Sequence, residues 1–181
     1  YERAIQEYDE AIRLERNHLE AYYKRGLAYE ALGKTKEAER DFERAIQKYD
    51  EAIREYPDDG RYQYYRALAY EALGKTIEAE RDFERAIQKY DEAIREYPDD
   101  GRYQYYRALA YEALGKTIEA ERDFERAIQK YDEAIREYPD DGRYQYYRAL
   151  AYEALGKTIE AERDFERAIQ KYDEAIREYP D

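Results

Sequence analysis

From Thr76 to Tyr97, the residues Ala79, Phe83, Ala86, Ile87, Tyr90, Ala93, Ile94 and Tyr97 recur at intervals of three and four, with charged side chains between them. That spacing draws one apolar stripe down an α-helix. The helix is predicted to stop where Pro98 cannot continue it. The preceding stretch, Arg61 to Leu73, carries Tyr62, Tyr64, Tyr65, Ala67, Leu68, Ala69, Tyr70, Ala72 and Leu73. It is apolar almost all round, which suits a helix sandwiched between neighbours. The turn signals between these stretches are Pro57-Asp58-Asp59-Gly60 and Gly74-Lys75. Asp58 or Asp59 serves as a natural N-cap and Gly74 as a left-handed C-cap.

This two-helix unit is copied along the chain. The block from Tyr49 to Lys89 recurs unchanged from Tyr90 to Lys130 and from Tyr131 to Lys171, a period of 41 residues. A divergent copy, Tyr8 to Lys48, differs from it at 12 positions, and a partial block closes the chain from Tyr172 to Asp181. A fixed period of this size marks a solenoid in which each unit buries its apolar faces against its neighbours. The predicted organisation is a single solenoid: residues 1–16 as a half-repeat holding a second helix, then repeats at 17–57, 58–98, 99–139 and 140–181.

Tyr22, Gly26, Leu27, Ala28, Tyr29, Leu32, Gly33, Glu37, Ala38, Phe42, Ala45 and Ile46 follow the order and spacing of a known motif. On these residues the chain resembles the tetratricopeptide repeat (TPR) family, and the pattern recurs around Tyr70 and Phe83, Tyr111 and Phe124, and Tyr152 and Phe165. The resemblance implies an all-α, right-handed superhelical α-solenoid of TPR-like helix-turn-helix repeats. Gly26 and Ala38 would let the two helices approach closely, with Tyr29 and Phe42 filling the surrounding core. In the identical copies, Gln63 stands where the family usually has a large aromatic, and Ala67 replaces the glycine.

The period of 41 exceeds the family's 34 by seven. The excess lies in the second helix, where Arg85-Ala-Ile-Gln-Lys-Tyr-Asp91 is followed by the near-copy Glu92-Ala-Ile-Arg-Glu-Tyr-Pro98. A heptad rotates the stripe by only about 20°, so the stripe lengthens on one face. A helix of roughly 33 Å then overhangs a partner of about 20 Å. The predicted cover for the overhang is the cluster Tyr62, Tyr64 and Tyr65, lying near Tyr49 and Tyr56 at the end of the preceding long helix. This accounts for 25 tyrosines in a chain without tryptophan.

Composition narrows the chemistry. With no cysteine and one histidine, His18, disulfide frameworks, thiolate metal sites and thiol nucleophiles are excluded. His18 is replaced by Asp59, Asp100 and Asp141 in the other copies, and no nucleophile accompanies it, so it reads as an exposed turn residue. Glu78, Glu80, Asp82 and Glu84 alternate with Arg81 and Arg85 and read as a solvated, ion-paired face. Asp58 and Asp59 read as a helix cap before a calcium ligand. No enzyme, cofactor or metal site is expected. The chain carries 32 basic and 45 acidic side chains, a net charge of −13, which repels nucleic acid and anionic membranes. Gly60-Arg61-Tyr62 sets an arginine beside an aromatic, as RNA-binding helical repeats do, but acids interrupt every basic face. No apolar run approaches the roughly 18 residues of a membrane span, and Tyr1 opens no signal sequence. A soluble, cytoplasm-like setting is the expectation, and the missing initiator methionine indicates part of a longer chain.

Binding remains. The resemblance places peptides in a concave groove lined by the first helices. The candidates there are Tyr23, then Tyr64, Leu68 and Glu71, with Arg61 one turn earlier. The same set recurs as Tyr105, Leu109 and Glu112, and as Tyr146, Leu150 and Glu153. A Tyr and Glu ladder suits an extended basic or proline-rich peptide. The competing reading is that these residues only pack copy against copy. The Lys and Asn clamp with which family members grip chaperone C-termini is absent from this face. Identity across three blocks indicates engineering by copying or very recent duplication. The expected function is a non-catalytic scaffold for protein–protein interaction or self-assembly, whose partner is a protein, a peptide or a second copy stacked end to end. The alternative is a natural adaptor with a peptide groove. Lys36, where later copies have Ile77, Ile118 and Ile159, reads as a polar edit near the N-terminal end.

Overall fold

The computed structural model describes residues 1–14 and 19–178, which form nine α-helices and no strand. His18 lies outside the described residues. Short helices of 13 residues alternate with long ones of 21 after the first, so the lengthened second helix is present at about 32 Å. Two compact units divide the chain, residues 1–89 and 90–181.

In the first unit, α1 (Glu2–Leu14) packs on α2 (Leu19–Ala31), α2 on α3 (Thr35–Glu55), and α3 on α4 (Gly60–Ala72). The unit also holds the first part of α5 (Thr76–Glu96). Asp59, not Asp58, caps α4, accepting a hydrogen bond from the Arg61 amide at 3.1 Å. Asp58 instead takes Lys89 at 2.9 Å. At the other end of α4, Gly74 has φ +68°, a left-handed conformation that costs glycine little. Lys75 N–H then reaches the Tyr70 carbonyl and Gly74 N–H that of Glu71, both at 2.8 Å, closing the orphan carbonyls as a Schellman motif does.

The core of this unit joins Ala45, Ile46, Tyr49 and Ala69, with Leu19, Tyr22, Tyr62, Tyr65 and Leu73 against it. Phe42 is buried, and a Cβ on Gly26 would lie 2.6 Å from its ring. The tyrosine cover over the end of α3 forms, with a redistribution. Tyr65 stacks on Tyr49 at 6.0 Å and Tyr62 tilts on Tyr56 at 6.2 Å. Tyr64, one residue before Tyr65 and edge-on to it at 5.4 Å, packs on Phe83 of its own pair at 5.7 Å. Consecutive helical residues are about 100° apart, so Tyr64 and Tyr65 serve different neighbours.

In the second unit, α6 (Gly101–Ala113) packs on α7 (Thr117–Glu137), α7 on α8 (Gly142–Ala154), and α8 on α9 (Thr158–Glu178). Ala108, Ala120, Phe124, Ile128 and Ala151 make the core. Gly101 marks where the short helix ends its run along the long one. A Cβ there would sit 3.0 Å from Lys130 Cβ and 3.1 Å from the Ala127 carbonyl oxygen. Beyond that point α7 is covered by α8: Tyr131 stacks on Tyr147 at 5.9 Å and Tyr138 tilts on Tyr144 at 6.1 Å. We expect Gly101→Ala to lower stability by about 1–3 kcal/mol in urea denaturation, because the carbonyl belongs to a helix that cannot yield. No loss would show that the α6 start has room.

Two readings are corrected here. Asp82 is not on a solvated face: it is 2% exposed, because Arg66 of α4 crosses over it. Ile77 and Ile118 are exposed, so the edit to Lys36 covers no face that other copies bury.

Candidate functional site

The candidate first-helix residues separate into a packed part and an open part. In the first unit, Tyr23 is half-buried against Phe42 at 5.8 Å, and Tyr64 is 9% exposed. Leu68 is half-buried and Glu71 exposed. Burial, then the charges of Glu71 and Glu30, push the Tyr23 hydroxyl up. In the second unit, Tyr105 is half-buried on Phe124 at 5.7 Å and Tyr146 is 41% exposed. Leu109 and Leu150 are half-buried; Glu112 and Glu153 are exposed. Burial pushes the Tyr105 hydroxyl up to about 12, with Tyr106, Tyr146, Glu153 and Glu112 adding to it. Within this unit Tyr146, Glu112 and Glu153 lie close enough to Tyr105 to act on its hydroxyl.

A consequence follows at high pH. Tyr49 and Tyr131 are pushed up as well, by burial first. A neutral phenol held by the fold contributes stability that is full below its ordinary value of 10.0 and is lost as pH rises through the folded value, for Tyr105 about 12. Tyrosinate absorbance is expected to rise in two stages, the exposed rings first and the buried ones only as helical circular dichroism is lost. A single-stage titration with the helix intact would contradict the burial of these hydroxyls.

Sequence reasoning missed a second feature. In every repeat an arginine of the short helix bridges the helices before and after it. Arg66 donates to Asp82 at 2.6 and 2.8 Å and to Asp50. Arg107 does the same with Asp123 at 2.5 and 2.8 Å and with Asp91. Arg148 pairs with Asp164 and Asp132, and Arg25 with Asp41 and Asp9. Burial opposes the charge on Arg107, but the bonds to Asp123 and Asp91 outweigh it and hold the guanidinium above its usual range. The signal was present as a symmetric spacing: each arginine stands sixteen residues after one aspartate and sixteen before another. The guanidinium takes both oxygens of the buried carboxylate, Asp82, and one of Asp50, whose side chain is 37% exposed.

The third feature is a pocket of about 880 Å³ in the second unit, at the overhang of α7. Tyr97, Tyr131, Tyr138, Tyr144 and Tyr147 line it, with Arg102, Lys130 and Arg143. Its carboxylates are Glu96, Asp99, Asp100, Glu133 and Glu137. Arg102 binds Asp100 at 2.6 Å, Arg143 binds Asp141 at 2.6 Å, and Lys130 binds Asp99 at 2.8 Å and Glu133 at 3.0 Å. Tyr138 donates to Glu137 at 2.9 Å. None of the candidate groove residues lines this pocket.

Among the described residues, no group of three or more His, Cys, Asp or Glu is placed to hold a metal ion, and no helix is long and apolar enough to cross a membrane. The family model for the tetratricopeptide repeat matches residues 38–80, 78–121 and 113–181, another of the same description matches 19–51, and one for the TPR repeat matches 1–33. No curated protein matches the sequence. Among solved structures, a crystal structure of MamA protein is 22% identical, with 97% of this chain and 84% of that chain covered and a TM-score of 0.37. MamA 41-end from Desulfovibrio magneticus RS-1 is 19% identical over 96% of this chain and 86% of that chain, with a TM-score of 0.37.

Proposed function

The chain belongs to the tetratricopeptide repeat family, and from that premise we propose that it is a non-catalytic protein-interaction scaffold built by copying one unit, whose first-helix face takes an extended basic peptide. The observation that carries the reading is the open part of that face. Glu112 and Glu153 are exposed beside Tyr105 and Tyr146, and a repeated carboxylate next to a ring suits a ligand with regularly spaced Lys or Arg. Identity of the three blocks favours copying, by engineering or by recent duplication, over a series of units each adapted to its own feature of a partner.

The test is a peptide array screened with the parent chain and with a Glu112→Gln, Glu153→Gln, Tyr146→Ala variant, helicity being checked by circular dichroism. Binding of lysine- or arginine-bearing peptides by the parent, reduced about tenfold or more in the variant, is expected. Equal binding by both would remove this face from the function.

A second reading, self-association, rests on α9. Ile169 is 59% exposed, whereas Ile128, at the matching position of α7, is 8% exposed. Tyr172 and Ile176 extend the exposed patch. Apolar stripes of this kind favour stacking of copies. Sedimentation that is concentration-dependent for the parent and flat for an Ile169→Glu, Ile176→Glu variant supports it; a parent monomeric at millimolar concentration excludes it.

A further inference from the structure

The pocket at the overhang of α7 carries features that helix packing alone does not use. Five carboxylates against three cations leave its lining two negative charges in excess. The three cations are already paired with aspartates or Glu133. Glu96 and Glu137 are different: each is exposed and without an ion pair among the described residues, and Glu137 accepts a hydrogen bond from the Tyr138 hydroxyl at 2.9 Å. Tyr131, in the pocket wall, is 2% exposed and stacks on Tyr147 at 5.9 Å.

We infer that this pocket is a second binding site, which takes an arginine side chain presented by an extended segment of a partner protein. The guanidinium is planar and has five donors. It stacks on the faces of Tyr138 and Tyr144 and neutralises Glu96 and Glu137. Ammonium groups satisfy the charge but not the stacking, so lysine is the poorer ligand. The volume of about 880 Å³ lies in the range of small-ligand sites and admits the residues flanking the arginine. The site stands apart from the first-helix face, so it survives if that reading fails.

The probe is an acetylated Gly-Pro-Arg-Pro-Gly amide titrated into the full chain by calorimetry, with lysine and glutamate versions as comparisons. Binding of the arginine peptide is expected, weaker by several-fold for lysine and absent for glutamate. Glu137→Gln, at an exposed position that leaves the fold intact, is expected to weaken it about tenfold. Tyr144→Ala weakens it similarly, and the titrations are made in a Glu112→Gln, Glu153→Gln background, so that the first-helix face does not contribute. The inference is overturned if the arginine peptide does not bind that background at millimolar concentration, or if Glu137→Gln added to it binds unchanged.

Discussion

Arg107→Met is expected to lower stability by about 3–5 kcal/mol, among the largest effects of any single substitution in this chain. The Asp123 side chain is 3% exposed and receives both of its close hydrogen bonds from Arg107. Without the guanidinium a carboxylate stays buried with little to neutralise it. Arg126 is 3.4 Å from it and more than half exposed, too distant and too wet to take over. The effect comes from stranding one partner, since a buried pair replaced as a whole by apolar groups is often neutral. The double variant Arg107→Met, Asp123→Leu should therefore recover most of the loss. Because repeats unfold by nearest-neighbour units, the measurement is urea denaturation together with native-state hydrogen exchange of α6 and α7. A loss below about 1 kcal/mol for the single variant would mean that water reaches Asp123.

Phe124→Ala is the second large effect, expected at about 3–5 kcal/mol. The ring is 2% exposed and sits among Ala108, Ala120, Ile128 and Ala151, with Tyr105 at 5.7 Å. Three of those neighbours are alanines, whose short side chains cannot move in to fill the space, so the cavity persists. Phe165 is the same residue one copy later but only half-buried, and Phe165→Ala should cost visibly less. Tyr131→Phe gives the opposite sign: removing a hydroxyl that has no partner is expected to be neutral or slightly stabilising. Denaturation midpoints of the three variants rank them. Equal losses for Phe124→Ala and Phe165→Ala would show that cavity formation does not set the cost.

The helices, their ends and the heptad that lengthens the second one were legible in the residues. These features are local. A stripe at intervals of three and four, an aspartate before a short helix and a glycine after it act within one or two turns of themselves. The copying of the unit told the rest of the architecture, because what stacks once stacks again. The Tyr65 and Tyr62 cover of the overhang was also within reach, since an apolar stripe longer than its partner needs a cover from the next helix.

Other features depended on which helix crosses which. Asp82 and Glu84 look alike in a charged sequence, yet Asp82 lies under Arg66 and is buried, while Glu84 is exposed. Tyr64 and Tyr65 are adjacent in sequence and serve different neighbours. The pocket is assembled from the ends and starts of four elements, α5 to α8, and no single stretch of sequence contains it. The sequence by itself determined that this chain is a series of copied helix pairs with one stripe each, because periodicity acts through local backbone geometry. Only the tertiary structure decided which charges are buried, which rings are packed and where a cavity opens. Burial is a property of the neighbour that arrives from sixteen or more residues away, and periodicity does not record its arrival.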